Sequence, residues 1–392
     1  MQKNNLGAGS QRARGIKTPI IPTINHLVRT TPGTISLGQG ISYYGPPESA
    51  YEEVNKQLSS HEINMYGPTK GIDALNNALA LKLSEKNNIA VSQENTIFVT
   101  AGSNMAFSSV VASIADPGDE VILLTPYYFN HETALHMTNV NAVLVPTLDN
   151  YHPDIDAIKH AITPKTKAVV TVSPNNPTGA VYTQDELTAI NQLCAQHGIY
   201  HINDEAYEDF IHEQNQHFSP ASLSNASAHT ISLFSFSKAY GFAGWRVGYM
   251  LIPQALFNTI TKVQDTILIS PPIISQYAAV GALQAPADYL LSRLAEISRS
   301  REVCLRMLEP LEAFSQTAIS EGAFYIFVKL KTNTDDVTIA KRLIAEHGVA
   351  TIPGSAFGIV QGSYLRISYG ALTGNAVEEG INKLAAGLQE LR

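Results

Sequence analysis

The sequence predicts an α/β protein in which a mostly parallel seven-stranded sheet forms a large domain and a smaller α/β domain follows. Between about residues 94 and 252, short apolar, β-branched runs alternate with helical patterns, which is typical of a parallel sheet covered on both faces. After about residue 285 the order changes to a long amphipathic helix, followed by strands and helices of a smaller unit. We therefore expect a large domain at 46–284 and a small domain built from 1–45 and 285–392.

Seven strands are predicted in the large domain because each is a short apolar run bounded by turn residues. Helices are predicted between most of them, including 103–115 and 183–198. In the second, Thr183 stands three residues before Glu186, the spacing of a capping box, and Gly198 is a natural stop. The predicted strands are 95–100, 119–125, 141–146, 166–173, 198–204, 229–237 and 245–252.

The smaller unit is predicted from the same kind of pattern. A long amphipathic helix is expected over 288–311, and a last helix follows the second of the two strands. The first 45 residues have no clear period and many Pro, Gly and Thr residues, so we expect them to lie along the surface of other elements. The elements between the long helix and the last one are a strand at 322–330, a helix at 337–348 and a strand at 364–370.

Composition narrows the classes of function. Of the 392 residues, 44% are hydrophobic and 15% charged, which is ordinary for a globular protein. The net charge of -8 disfavours binding to nucleic acid or an anionic membrane. The two cysteines, Cys194 and Cys304, belong to no CxxC or Cys/His cluster, so we expect no disulfide framework and no metal site. The first twenty residues lack the apolar core of a signal peptide, and no run of about 18 apolar residues occurs. These observations favour a cytoplasmic protein.

Polar groups follow four of the predicted strands, at the edge where ligands bind in open α/β sheets. The segment "AGSNMAF" opens a helix, where free N–H groups favour phosphate, and "PNNPTG" follows another strand. Asp204 with Tyr207 and then Lys238 follow the next two. Taken singly, each feature has an ordinary structural interpretation: the first segment as a helix cap, the second as a turn, Asp204 as an ion-pair partner and Lys238 as a surface lysine. Together, a phosphate cradle, a carboxylate, a lysine and an arginine are the parts of a pyridoxal phosphate site.

Seven segments occur in the order and at the spacing of one known family. They are "MYGPTKG", "AGSNMAF", "DPGDEVILLTPYY", "SPNNPTGAVY", "NDEAYE", "SFSKAYGFAGWRVGY" and "YLRISYG". The chain thereby resembles the pyridoxal-phosphate-dependent aminotransferases of class I/II, which have fold type I, over nearly its whole length.

This resemblance implies roles around the cofactor ring. Lys238 matches the lysine that binds the cofactor covalently, and Asp204 matches the acid that keeps the ring nitrogen protonated. Tyr207 and Asn176 match the residues that hydrogen-bond the ring's 3-oxygen. Tyr128 stands where relatives place an aromatic residue, often Trp or Phe, against the ring face.

The resemblance also implies groups for the phosphate and for the substrate. Arg366 matches the arginine that binds the substrate α-carboxylate, and Gly38 the backbone group that approaches it. Tyr66 matches a tyrosine that reaches the phosphate of the neighbouring subunit, which implies a homodimer with shared sites. Ser237 stands next to the phosphate groups, but relatives often have alanine there. The residues that match the phosphate site are Gly102, Ser103, Asn104, Ser235 and Arg246.

The expected reaction is a ping-pong transfer of an amino group from an L-amino acid to a 2-oxo acid, with Lys238 moving the proton at Cα. Neutral donors are expected, because the stretch 263–272 has Asp265 and apolar residues where some aspartate aminotransferases carry an arginine for the second carboxylate. Tyr43 and Tyr44 are either pocket-lining or packing residues. An aspartate-type aminotransferase and a lyase or synthase on the same scaffold stay open. A regulator with a related ligand domain is disfavoured, because the stretch before residue 36 is too short for a winged helix.

Overall fold

The N-terminal segment is more regular than its sequence indicates. The structure, a computed structural model, describes residues 9–16, 20–312, 315–318 and 320–390, so much of the stretch searched for a signal peptide lies outside the described residues. The prediction that the first 45 residues have no periodic structure is wrong. Helix α2 buries Ile24 completely and packs Ile20, Ile21, Leu27 and Val28 against the core, a helical spacing that Pro22 in the first turn does not interrupt. The elements that precede the central sheet in the chain are α1 (Gln11–Gly15), α2 (Ile20–Thr30), β1 (Ile35–Ser36), α3 (Glu48–Gln57) and α4 (Asp73–Asn87).

The predicted seven-stranded sheet is confirmed. Its order is β2-β8-β7-β6-β5-β3-β4, and β8 alone of the seven runs antiparallel to its neighbours. The strands are β2 (Asn95–Thr100), β3 (Glu120–Thr125), β4 (Asn141–Pro146), β5 (Thr166–Val172), β6 (Tyr200–Asp204), β7 (Thr230–Ser235) and β8 (Gly248–Pro253). The helices connected to them are α5 (Ser103–Ile114), α6 (Phe129–Thr138), α7 (Ile155–Ala161), α8 (Gln184–His197), α9 (Phe257–Leu268) and α10 (Ile273–Leu283).

Element ends differ from prediction where the backbone leaves the extended conformation. The capping box of Thr183 and Glu186 is present at the start of α8, and Gly198 ends that helix in the left-handed region, so β6 begins at Tyr200. Strand β7 ends at Ser235, and β8 begins only at Gly248, later than predicted. The residues between them form the loop that carries Lys238, in which Arg246 has a φ of +53°.

The C-terminal part forms a second, antiparallel sheet in the order β12-β13-β10-β9. Strand β1 pairs with β11, which supports grouping the N-terminal segment with this unit, while the domain boundaries themselves stay a prediction. The predicted strand at 322–330 begins three residues late, because Gly322 pairs with Ile211 and Ala323 has a φ of +55°. The elements are α11 (Ala287–Leu308), β9 (Ser315–Thr317), β10 (Tyr325–Leu330), α12 (Asp336–His347), β11 (Val349–Ala350), β12 (Ile352–Pro353), β13 (Ser363–Ser368) and α13 (Asn375–Glu390).

The described residues include no single helix that is both long and apolar enough to span a membrane. The segment Gln254–Leu268, which contains α9, and α10 together meet that length and composition, with a 118° bend between them.

Candidate active site

A cavity of about 220 Å³ lies at the carboxyl ends of β2, β5, β6 and β7. It brings together most of the side chains that the sequence singles out, because parallel strands deliver their carboxyl ends to one edge. Arg366 reaches the same cavity from β13. The lining residues that sequence analysis named are Ser103, Asn104, Tyr128, Asn176, Asp204, Tyr207, Ser235, Ser237, Lys238, Arg246 and Arg366.

Lys238 lies on the cavity wall, in the loop after β7. Its Nζ donates a hydrogen bond to the carbonyl of Gly40, and its own carbonyl accepts one from Ser42 at 2.6 Å. Desolvation, with the nearby charges of Arg366 and Arg246, lowers the pKa of Lys238 to about 8, although Asp204 opposes the shift. At pH 7 about a tenth of the amine is therefore unprotonated, far more than for an ordinary lysine, and the unprotonated form is the one that acts as a nucleophile or proton acceptor.

Asp204 ends β6 and is 4% exposed. One carboxylate oxygen accepts the N–H of Ala206 at 3.1 Å, and the other lies 3.2 Å from Nε2 of His131. The imidazole of His131 stacks on Phe107 with 4.0 Å between ring centroids, which holds the ring against the carboxylate. Sequence analysis missed His131. It follows the end of β3 by six residues, so the strand-end argument applied to that strand was the signal that could have found it.

The amino end of α5 and Arg246 form an anion-binding corner. Gly102 precedes the helix with a φ of +87°, and a Cβ there would stand 2.2 Å from a terminal nitrogen of Arg246. The guanidinium donates to the carbonyls of Ala101 at 3.1 Å and Ala243 at 3.0 Å. Ser235 Oγ lines the same corner and accepts the N–H of Ser237 at 3.1 Å. Helix N–H groups, a fixed guanidinium and hydroxyls together suit a phosphate.

Arg366 is 2% exposed and carries its charge into the cavity without an acidic partner among the described residues. It donates to Asn176 Oδ1 at 2.9 Å and to the carbonyl of Gly38 at 2.7 Å. Gly38 therefore acts on the guanidinium through its carbonyl and does not itself line the cavity. A buried guanidinium held only by neutral oxygens is suited to binding a carboxylate.

Comparisons with known proteins agree with this geometry. A family model described as aminotransferase class I and II matches residues 32–384. This chain belongs to that family. It is 35% identical to an aromatic aminotransferase of Arabidopsis thaliana over 99% of this chain and 98% of the relative. It is also 35% identical to an aspartate/prephenate aminotransferase of Thermus thermophilus, covering 92% of this chain and 94% of the relative. The structure of the Thermus thermophilus aspartate aminotransferase with maleate superposes with a TM-score of 0.90 at 31% identity, covering 97% of this chain and all of the other. The protein is therefore an aminotransferase, with the fold that the sequence predicts.

Three tyrosines that sequence analysis named as candidate site residues lie outside the cavity of this aminotransferase. Tyr66 is 80% exposed and borders a separate cavity of about 520 Å³, together with Met65 and the segment 270–274. Tyr43 and Tyr44 pack edge-to-face at 5.0 Å, and Tyr44 donates to the carbonyl of Ala239 at 3.1 Å. They are packing residues beside the Lys238 loop, not lining residues.

Sequence analysis did not find six further residues that line the cavity of the aminotransferase: Ile21, Gly40, Phe129, Val172, Ala206 and Tyr325. Ile21 comes from α2, the helix that sequence analysis overlooked. Tyr325 lies on β10, where an aromatic residue in an apolar run is indistinguishable from an ordinary core residue, and its hydroxyl lies 2.6 Å from that of Tyr207. Burial raises the pKa of Tyr325 to about 12 and the pKa of Tyr207 well above its ordinary value. Both phenols therefore stay neutral at physiological pH.

Proposed function

We propose that this aminotransferase binds pyridoxal 5'-phosphate in the Lys238 cavity and moves an amino group from an L-amino acid to a 2-oxo acid in a ping-pong sequence. The observation that carries the proposal is the buried Lys238, whose pKa is lowered by desolvation and by the nearby charges of Arg366 and Arg246. The residues fit the cofactor, because each of its polar parts has a complementary group. The corner of Arg246 and α5 suits its phosphate, Asp204 its ring nitrogen, and Tyr207 with Asn176 its 3-oxygen.

The bound cofactor would supply an electron-accepting ring that stabilises negative charge at the substrate Cα. The chain supplies the remaining steps. Arg366 and Asn176 hold the α-carboxylate and so fix the orientation of the Cα–H bond. Lys238 Nζ would take the Cα proton and deliver it to the cofactor carbon on the other side of the amino nitrogen, and a pKa of about 8 suits both directions of transfer. Asp204, held by His131, balances the positive charge of the ring nitrogen.

The cofactor is tested by colour and covalent labelling. Purified protein should be yellow, and borohydride should fix a pyridoxyl label that peptide mapping finds on Lys238. Lys238→Ala should bind no reducible label, whereas Lys341→Ala, an exposed lysine on α12, should label normally. A label on another lysine would refute the assignment. Parallel double-reciprocal plots are expected for a ping-pong sequence. Restoration of the starting absorption spectrum by an added 2-oxo acid distinguishes transamination from a lyase reaction.

The preferred donors are proposed to be neutral L-amino acids with apolar, aromatic or sulfur-containing side chains. Among the described residues three cationic side chains line the cavity, and the proposal gives each of them a role: Lys238, Arg246 and Arg366. The segment 263–272 carries Asp265 and the exposed Ile267 and Ile269, so it offers no arginine to a second carboxylate. An unpaired buried carboxylate costs several kcal/mol, on the order of a hundredfold or more in specificity.

The alternative donor is aspartate, because one similar protein is named an aspartate/prephenate aminotransferase, while another is named an aromatic aminotransferase. Values of kcat/KM for aspartate, methionine, phenylalanine and alanine distinguish the two. Neutral donors should exceed aspartate by at least tenfold, and a clear preference for aspartate would overturn the proposal.

The active form is proposed to be a homodimer in which Tyr66 completes the partner's phosphate site. Its 80% exposure, beside the exposed Met65, supports a role at an interface. Mixing Tyr66→Ala subunits with Lys238→Ala subunits should restore activity, because one hybrid site is intact. Verified subunit exchange without recovery would count against a shared site. The cytoplasmic location stays a prediction. The state of the two cysteines is compatible with it, because Cys194 and Cys304 are both buried and form no disulfide.

A further inference from the structure

The hydroxyls of Tyr207 and Tyr325 form a close pair in the cavity wall. The proposed reaction gives a role to Tyr207 but none to Tyr325. Tyr207 follows β6 and Tyr325 begins β10, so the two come from different sheets. Their oxygens lie 2.6 Å apart, and both side chains line the cavity. Tyr325 is fully buried and Tyr207 is 5% exposed. Such a short contact between buried hydroxyls is a hydrogen bond, and one of the two must be its donor.

The position of Tyr325 is defined on three sides. The Arg366 guanidinium lies 4.4 Å from the centroid of its ring, and Phe324 packs beside it with 4.9 Å between centroids. A Cβ on Gly40 would stand 2.4 Å from the Tyr325 hydroxyl, so glycine is needed there for the hydroxyl to occupy its place. Among the described residues, Tyr207 is the hydrogen-bond partner of that hydroxyl.

Counting protons shows what each direction of the bond would leave for the cavity. Each hydroxyl has one proton and two lone pairs. If Tyr207 donates to Tyr325, the Tyr207 proton is used within the protein and none points into the cavity. If Tyr325 donates, its proton occupies a lone pair of Tyr207, and the Tyr207 proton is left for an acceptor in the cavity. Asn176 Nδ2 donates to Tyr207 Oη at 3.5 Å, and with a donor from Tyr325 it occupies the second lone pair of that oxygen.

We propose that Tyr325 is a positioning residue whose hydroxyl donates to Tyr207 and thereby directs the single Tyr207 proton at the 3-oxygen of the bound cofactor. The inference rests on the proposed function, because it requires an acceptor oxygen at that point. The proposal adds the Tyr325 hydroxyl, which comes from the C-terminal sheet, to the groups that set the pKa of the lysine-linked cofactor.

The electrostatic surroundings are compatible with this relay. Burial raises the pKa of both phenols, so both keep their protons through the working range. The charged groups that face the pair are Arg366 on β13, Lys238 after β7 and Asp204 at the end of β6. The phenol of Tyr128 faces the pair as well. Tyr325→Phe keeps all of these groups and also keeps the ring beside the Arg366 guanidinium.

The test is the absorbance titration of the holoenzyme. Deprotonation of the lysine-linked chromophore leaves full negative charge on the 3-oxygen, so a donor from Tyr207 lowers the pKa of that transition. Tyr325→Phe removes one hydrogen bond from the relay and should raise this pKa by roughly half a unit to one unit. Tyr207→Phe should raise it further. The double variant should titrate like Tyr207→Phe alone, because Tyr325 acts through Tyr207.

Tyr369→Phe is the matched control, because Tyr369 is also fully buried but lies outside the cavity. Its hydroxyl lies 3.0 Å from Ser320 Oγ and 3.1 Å from His212 Nε2. It should leave the titration unchanged. An unshifted Tyr325→Phe, an equal shift in Tyr369→Phe, or additive shifts in the double variant would overturn the inference. If Tyr325→Phe does not fold, Gly40→Ala should raise the same pKa, because its added Cβ would stand 2.4 Å from the Tyr325 hydroxyl and displace it; an unchanged titration would refute the relay. Absence of any lysine-linked chromophore in the parent would instead refute the proposed function.

Discussion

Replacing Gly102 with alanine should damage the phosphate corner through two separable effects. The first is backbone strain, because a φ of +87° lies where L-residues are disfavoured, at a cost of about 1–3 kcal/mol in the free energy of unfolding. The second is steric, because the new Cβ would stand 2.2 Å from a terminal nitrogen of Arg246. The guanidinium must therefore move away from the Ala101 carbonyl, its partner at 3.1 Å.

The magnitude of the second effect follows from the hydrogen bonds at risk. A hydrogen bond to a charged group contributes about 1.5–3 kcal/mol, and displacing Arg246 costs at least one such bond to the phosphate. Affinity for pyridoxal phosphate should then fall roughly 10- to 150-fold. The assay is a fluorescence titration of the apoenzyme with pyridoxal phosphate, and thermal unfolding of the same samples reports the loss of stability.

Gly118→Ala separates strain from contact. Gly118 has a φ of +93°, close to that of Gly102, but no atom lies within 4 Å of its added Cβ. It should lose a similar amount of stability and keep the parent affinity for the cofactor. Parent-like affinity in Gly102→Ala, or an equal loss of affinity in Gly118→Ala, would refute the reasoning about Arg246.

Three further predictions concern other groups of the site and its surroundings. Asp204→Asn should keep the fold and bind cofactor but lower kcat on the order of a hundredfold, because a neutral amide cannot balance a protonated ring nitrogen; activity within a few-fold of the parent would remove Asp204 from the mechanism. Arg366→Lys should raise KM for the amino acid by roughly 10- to 100-fold, because lysine lacks the planar guanidinium that can contact Asn176, Gly38 and a carboxylate together. Steady-state kinetics with an unchanged KM would contradict this. Hydrogen bonds to Glu186 and Glu321 raise the pKa of His152 from 6.5 to about 9, so its contribution to stability is complete below pH 6.5 and is lost as the pH rises through 9. His152→Gln should therefore lower the free energy of unfolding by about 1–2 kcal/mol at pH 6, after allowance for solvent screening, and by much less at pH 10; urea unfolding with equal losses at both values would count against it.

Local chemistry in the sequence was enough to predict the central sheet and to bring Asp204, Tyr207 and Lys238 to one edge of it, whereas residues such as Tyr128 and Arg366 were assigned by the family resemblance. Apolar runs of strand length, separated by helical patterns, indicated the parallel order, and turn residues marked where each strand ends. Asp204 and Lys238 follow their strands directly, so their convergence on one edge is a consequence of strand direction and needs no knowledge of packing. The capping box at Thr183 was equally visible, because both of its members lie within four residues.

Tertiary structure alone decided which distant groups meet. Arg366 and Gly38 are 328 positions apart, and Tyr207 and Tyr325 are 118 apart, yet each pair is in hydrogen-bond contact. The stacking of His131 on Phe107 beside Asp204, and the burial that lowers the pKa of Lys238, likewise depend on how helices and sheets pack. Period and turn chemistry act over a few residues, and they therefore determine elements and their ends. Desolvation, charge proximity and hydrogen-bond direction depend on distances in space, which exist only once those elements have packed together.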